Sequence, residues 1–377
     1  MRVMTWLGRT GVLLAALLLV CEAAFADEVR FRMVDGHPLI IVRINGHPAV
    51  ALIDTGAAAS YIDEDLAADL GIGALWKLAA ADAAGSQVRN DRTVPAKVAI
   101  GKVVTEEKTL GLEEVGAIFG GLPDGEPRPQ AIIGLDVLKN YVVEIDFDRS
   151  MIGFTKAAKY KAFPKDSALT LENGAGLRML PVKLDGELAH AVIDTGATSA
   201  VHMSIMFEAK ERILAGQRAS EALVSGVDGL YRRPITSLET MEFAGRTFTN
   251  VPVTLSAQPI GSNIDAVVGI QVLSQFNLIL DFSRWRMWMK PNASFGKPFR
   301  RDRVGLSTRD EEGGRVVLVA QGSPAEKAGF RLGEIVKEMR DEAGAKIDSG
   351  RDTVTGQKVT VVMGDGSTRS IIAEEYY

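Results

Sequence analysis

Two stretches of the chain share one pattern of apolar and polar positions. The first, Leu39-Ile40-Ile41-Val42-Arg43-Ile44, stops at Asn45-Gly46 and resumes as Ala49-Val50-Ala51-Leu52-Ile53. The second runs over residues 177–184, stops at Asp185-Gly186 and resumes as Ala191-Val192-Ile193. Asn-Gly and Asp-Gly between β-branched runs predict two-residue hairpin turns, whose central positions need positive φ. Each returning strand ends alike, in Asp54-Thr55-Gly56-Ala57 and in Asp194-Thr195-Gly196-Ala197. Each aspartate lies eight residues past its turn glycine (54−46 and 194−186).

The two stretches also match further on. Ile132-Ile133-Gly134-Leu135-Asp136-Val137-Leu138 corresponds to Val267-Val268-Gly269-Ile270-Gln271-Val272-Leu273. Twelve residues after each of these glycines comes Asp-Phe-x-Arg, at Asp146 and at Asp281. Matching parts in one order at both ends predict an internal duplication. Both copies read as strand, short helix, strand, turn, strand. Residues 63–71 predict a capped helix with Leu66, Ala67 and Leu70 on one face and Gly71 at its end, and residues 203–216 take that part in the second copy. The expected organisation is a first lobe over 27–155, a linker at 156–168, a second lobe over 169–290 and a linker at 291–302.

Residues 303–377 form a third unit. Val304-Gly305-Leu306, a β run at 315–320, and Ser323-Pro324-Ala325-Glu326-Lys327-Ala328-Gly329 follow one another. Ser323 predicts a helix cap with Pro324 in the first turn. Strands at 358–363 and 368–373, joined at Asp365-Gly366, end the chain. This order is similar to PDZ domains, and the resemblance implies a small α+β domain. Its loop amides at Val304, Gly305 and Leu306 would face a peptide C-terminus, beside a strand edge open to β-augmentation. Residues 341–356, where PDZ domains place the helix that walls the groove, hold few apolar residues at helical spacing.

Composition adjusts this picture at the N-terminus. Arg2 and Arg9, an apolar run at 11–20, and Ala24-Phe25-Ala26 predict an export signal over residues 1–26, since so short an apolar run does not span a bilayer. A membrane anchor and a lipoprotein modified at Cys21 are the alternatives. The expected location is the periplasm or the extracellular space. Cys21 is the single cysteine, so the processed chain would hold no disulfide and no cysteine metal site. Without residues 1–26 the balance is 41 basic against 47 acidic side chains (43−2 and 48−1), which argues against nucleic acid as a partner. No later apolar stretch is long enough to enter a membrane.

Two aspartates at matching positions have a chemical use. A peptide bond is hydrolysed without metal, thiol or serine when one carboxylate activates water and a second protonates the carbonyl oxygen. The pair must sit about 3 Å apart and share one proton, because two such close charges do not both ionise cheaply. Glycine after the threonine lets backbone amides approach the carboxylates. With these motifs, residues 35–290 resemble the retropepsin-like aspartic proteases, with both lobes in one chain as in pepsin-like enzymes. The resemblance implies a mainly β fold: two duplicated acid-protease-type β-barrel lobes with a cleft where the dyad forms. It also implies Asp54 and Asp194 as catalytic, Thr55 and Thr195 bonded across the pair, Gly56 and Gly196 beside them, and Gly134 and Gly269 beneath.

The second copy has Thr198 two residues past the Gly, where the family supports its aspartate; the first has Ala58, with Ser60 as a substitute. Flap hairpins are expected around Gly85, in residues 82–86, and around Gly226, in residues 225–229, with Tyr231 near the second tip. The four histidines are scattered and no phosphate-cradling glycine loop is present, so no metal and no cofactor are expected. The expected substrate is a peptide or protein, docked also at the C-terminal unit, and the expected catalytic unit is a monomer. A protease-like protein that binds peptides without cutting them is the alternative.

Overall fold

The structure, a computed structural model, describes residues 28–377 except 77–78, 82–86, 90, 120–125, 165–167, 175, 227–228, 258–259, 262 and 310–312. The proposed export segment therefore lies outside the described residues. Strand makes up 48% of the chain and helix 10%, so the fold is mainly β, built from curled sheets and half-barrels.

Each duplicated stretch folds as a hairpin. His37–Ile44 pairs antiparallel with His47–Ile53, and Leu177–Leu184 with Glu187–Ile193. The turns take positive φ at both positions, +48° and +88° at Asn45 and Gly46, +47° and +91° at Asp185 and Gly186. Ile40, Val42 and Ile44 point into the core while Ile41 is exposed, the period-two alternation of a strand with one wet face. A third, fully buried strand then runs parallel to each returning strand: Ala131–Ile133 beside His47–Ile53, and Ala266–Val268 beside Glu187–Ile193. Short helices follow at Leu135–Leu138 and Ile270–Leu273. The hairpin strands of the two copies are 140 positions apart (47 to 187), the later strands 135 (131 to 266).

The lobes join in one six-stranded sheet. Tyr141–Asp146 pairs antiparallel with Phe276–Asp281 at its centre, Val142 opposite Asp281 and Ile145 opposite Leu278. Met151–Lys156 and Arg286–Pro291 flank that pair, and Glu28–Arg30 and Leu169–Thr170 close the two edges. The order is the same read from either side, so the sheet carries the approximate two-fold axis. One apolar core runs through both lobes, from Ile44 and Ile53 through Tyr141 and Ile145 to Leu278 and Phe282.

The predicted helices are present but shorter. Glu64–Asp69 is capped by Asp63, whose carboxylate accepts from Asp65 N (3.2 Å), and Ala67 is its one buried residue. Ile205–Glu211 is capped by Ser204, because Met203 belongs to the preceding strand Val201–Met203.

The C-terminal unit has its own apolar cluster. Leu306–Arg309 pairs with Arg315–Val319, and a second sheet runs in the order Lys346–Ile347, Val336–Arg340, Lys358–Met363, Thr368–Ile372. Ser323 caps the helix Pro324–Lys327. Between 341 and 356 the one helical element is the 3-10 turn Gly350–Asp352. Arg301 falls in the stretch expected to be a linker, yet it is only 3% exposed. Its guanidinium donates to Ser237 Oγ (2.8 Å) and Asn250 Oδ1 (2.8 Å) of the second lobe and to the Tyr377 carbonyl (3.2 Å). Buried charge persists only where its donors are satisfied, so this residue fixes the unit to the lobe.

Candidate active site

Both aspartates sit where a returning strand ends. Asp54 N donates to Ile133 O (3.0 Å) and Asp194 N to Val268 O (3.1 Å), so the parallel third strand sets where each turn begins. Within the turn, Asp54 Oδ1 accepts from Gly56 N (2.8 Å) and Ala57 N (2.9 Å). Asp194 Oδ1 accepts from Gly196 N (2.7 Å) and Ala197 N (3.1 Å).

The threonines tie the turns together. Thr55 Oγ1 donates to Ile193 O (2.7 Å) and accepts from Thr195 N (3.1 Å). Thr195 Oγ1 donates to Ile53 O (2.7 Å) and accepts from Thr55 N (3.1 Å). Both side chains are wholly buried, so these four bonds have no water to compete with. The glycines bring the carboxylates into place. A β-carbon at Gly196 would lie 2.6 Å from the Asp54 carboxyl carbon, and Gly56 leaves still less room against Asp194. Each carboxylate thus rests on the opposite turn, and the two are hydrogen-bonded to each other.

Burial raises the pKa of both aspartates. Asp54 lies well above the usual carboxylate range, because the Asp194 charge and the hydrogen bond to Asp194 add to burial. In Asp194 the hydrogen bond from Asp54 and the amides of Gly196, Ala197 and Gly56 oppose burial. Two carboxyl groups this close do not both ionise cheaply, so the pair titrates as a unit. Such a pair is able to take a proton from one reactant and give one to another.

Beneath the turns, Leu135 N donates to Ala57 O and Ile270 N to Ala197 O, both at 2.8 Å. Gly134 and Gly269 make this approach possible, since a β-carbon at either would lie 2.7 Å from those same carbonyl oxygens. The support then differs between copies. Ser60 Oγ donates to Asp136 Oδ1 (2.6 Å) and accepts from Gly134 N (3.0 Å), so it braces the loop below and does not touch Asp54. Thr198 was expected to support Asp194. It packs its β-carbon and methyl against Gly36 instead, and among the described residues its hydroxyl makes no bond to Asp194. Gln271 fills the second copy's loop, donating to Thr198 O (3.1 Å).

Gly226 ends the strand Ser220–Gly226 and pairs with Gly229 of Gly229–Phe243, at the tip of a long hairpin. Gly85 lies outside the described residues; the strands Ala79–Ala81 and Gln87–Arg89 on either side of it pair antiparallel. Tyr231 lies under the Arg233 guanidinium, 4.5 Å from its ring centre.

Two residues near the site had no signal of their own in the sequence. Tyr61 and His202 hold matching places on the strands that follow the turns, opposite Ile132 and Val267. Both are half-buried, and the Asp54 charge helps to raise the Tyr61 pKa, after burial. Arg92 lies 5.8 Å from the Tyr61 ring centre. His202 Nδ1 bonds Thr254 Oγ1 (2.9 Å), and burial with the nearby Arg233 charge lowers its pKa.

The loop expected to receive a peptide C-terminus is closed from within. Asp302 Oδ1 accepts from Val304 N (2.9 Å) and Gly305 N (3.0 Å), and its Oδ2 accepts from the buried Tyr376 hydroxyl (3.2 Å). Leu306 begins the strand and pairs with Val319. A carboxylate already occupies the amides, and it belongs to the chain itself. Among the described residues, no three His, Cys, Asp or Glu side chains gather as a metal would require.

No curated protein matches the chain. Residues 40–140, which carry the first Asp-Thr-Gly turn and the loop at Gly134, match the family model described as gag-polyprotein putative aspartyl protease, so that segment is similar to aspartyl proteases.

Proposed function

We propose that this chain is an aspartic endopeptidase whose two carboxylates, Asp54 and Asp194, belong to two lobes of one polypeptide. The observation that carries the reading is the reciprocal threonine bonding, which holds the carboxylates in hydrogen-bonding contact. In this mechanism water sits between the aspartates. The ionised carboxylate takes its proton as oxygen attacks the peptide carbon, while the protonated one donates to the carbonyl oxygen. The tetrahedral intermediate then breaks at the C–N bond, with the proton passed to the leaving nitrogen. The shared proton belongs to the pair, and either carboxyl can carry it at the start of the cycle. Export to the periplasm or beyond, and a monomeric catalytic unit, belong to the same proposal.

The test is digestion of a peptide library from acid to neutral pH, with and without a pepstatin-type inhibitor. Wild type should cleave and the inhibitor should stop it. Asp54→Asn and Asp194→Asn should each lower kcat by at least a thousandfold while leaving the circular dichroism spectrum unchanged. Peptide binding without cleavage at any pH would replace this reading with that of a peptide-binding protein.

A further inference from the structure

The hairpin Ser220–Gly226/Gly229–Phe243 ends the sheet that carries Asp194, whose order from the Asp194 strand runs through Ala266–Val268, Val201–Met203 and Arg246–Leu255 to the hairpin. Ile235 pairs with Thr254, and Thr254 pairs with His202, on the strand that follows the Asp194 turn. Beyond Ile235 six residues per strand remain to Gly229, an arm of about 20 Å at ~3.3 Å per residue. Over that length, among the described residues, each strand pairs only with the other. A two-stranded ribbon is marginally stable in water, so its position depends on what touches its faces.

The hairpin is held. Arg232 Nη2 donates to Val317 O (2.8 Å) and Ser220 Oγ to Gln321 O (2.6 Å), both main-chain carbonyls of the C-terminal unit. Val317 is free to accept because the pairing of Leu306–Arg309 with Arg315–Val319 slips there: Ser307 faces Leu318 and Thr308 faces Val316. A bulge leaves its extra residue out of the ladder, and here Arg232 takes up the carbonyl. Side chains alternate along a strand, so Tyr231 and Arg233 lie on the face opposite Arg232, the face that Ser220, paired with Ile235, takes at the base, and there the Arg233 charge reaches His202.

We propose that the C-terminal unit is a brace which sets the position of this hairpin over the substrate, with Arg232 and Ser220 as positioning residues. The proposal rests on the endopeptidase reading for what the hairpin covers. The closure of the Val304–Gly305 amides by Asp302 and the anchoring of the unit by Arg301 fit a brace better than a peptide receptor.

Two measurements on the full chain test it. In hydrogen exchange, Arg232→Ala with Ser220→Ala should speed exchange at the amides of 221–226 and 230–234 at least fivefold, and Arg232→Lys should restore part of the protection. In kinetics, the double variant should raise KM at least fivefold for peptides long enough to lie under the hairpin, with kcat within twofold of wild type. Unchanged exchange overturns the brace whether or not the protein cleaves peptides. Faster exchange with unchanged KM overturns the positioning role, and absence of wild-type cleavage overturns only the endopeptidase reading.

Discussion

At the residue scale, Thr55 and Thr195 are wholly buried hydroxyls that each give one bond and take one across the lobe boundary. Thr55→Val keeps the shape but strands Ile193 O and Thr195 N, at about 1–3 kcal/mol for each unpaired buried group. Chemical denaturation should show that loss, and Thr55→Ser should recover most of it. The aspartates lead to a second expectation. Burial puts their folded pKa above the unfolded value, so the native state binds more protons than the unfolded one between those two values. The stability they contribute is therefore fully present below the unfolded pKa and is lost as pH rises through the folded one. Asp54→Asn removes that dependence, so its stability relative to wild type should climb from acid to neutral pH. Denaturation midpoints at several pH values would show a widening gap; a constant gap would contradict the raised pKa. Peptide cleavage should fall over the same range, as the shared proton leaves.

Among elements, the loops under the dyad tolerate least. Gly134 sits against the carbonyls of Ala57 and Ala59, both backbone atoms that cannot swing aside. Gly134→Ala should displace the Asp54 turn and abolish cleavage, with a loss of at least the ~1–3 kcal/mol typical of overpacking. Gly186→Ala, at a turn with open space around it, should cost only the left-handed strain, about 1 kcal/mol, and leave activity alone. The two glycines also show what sequence makes legible. Asn45-Gly46 and Asp185-Gly186 announce their hairpins because turn chemistry acts within two residues. The reasons for Gly134 lie about 75 residues away (134−59), visible only through the repeat and the family resemblance. Tyr61 and His202 were not legible, because strand order and not local pattern brings them to the dyad. Thr198 misled for a similar reason: its neighbour is Gly36 of the other lobe. Residues 291–302 have the look of a linker, and only the tertiary partners of Arg301 reveal the anchor.

For the whole molecule, the central sheet makes the lobes one body. Its middle pair joins Tyr141–Asp146 to Phe276–Asp281, and each edge strand belongs to the start of a lobe. Both aspartates come from the same chain, so specific activity should not change on dilution, and sedimentation should give one monomer-sized species. Activity that falls with dilution would mean that a second chain completes the site. The short outer strands, three and two residues long, offer little edge to which a second copy could add.

Ser60 with Asp136 stands under one acid, and Gln271 under the other. An enzyme assembled from identical halves meets its substrate with interchangeable acids, and any inherited change strikes both at once. Here the halves are tied in tandem and have been free to drift apart. The protein has a left and a right before any peptide arrives, and a bound chain would have a preferred direction of travel through it.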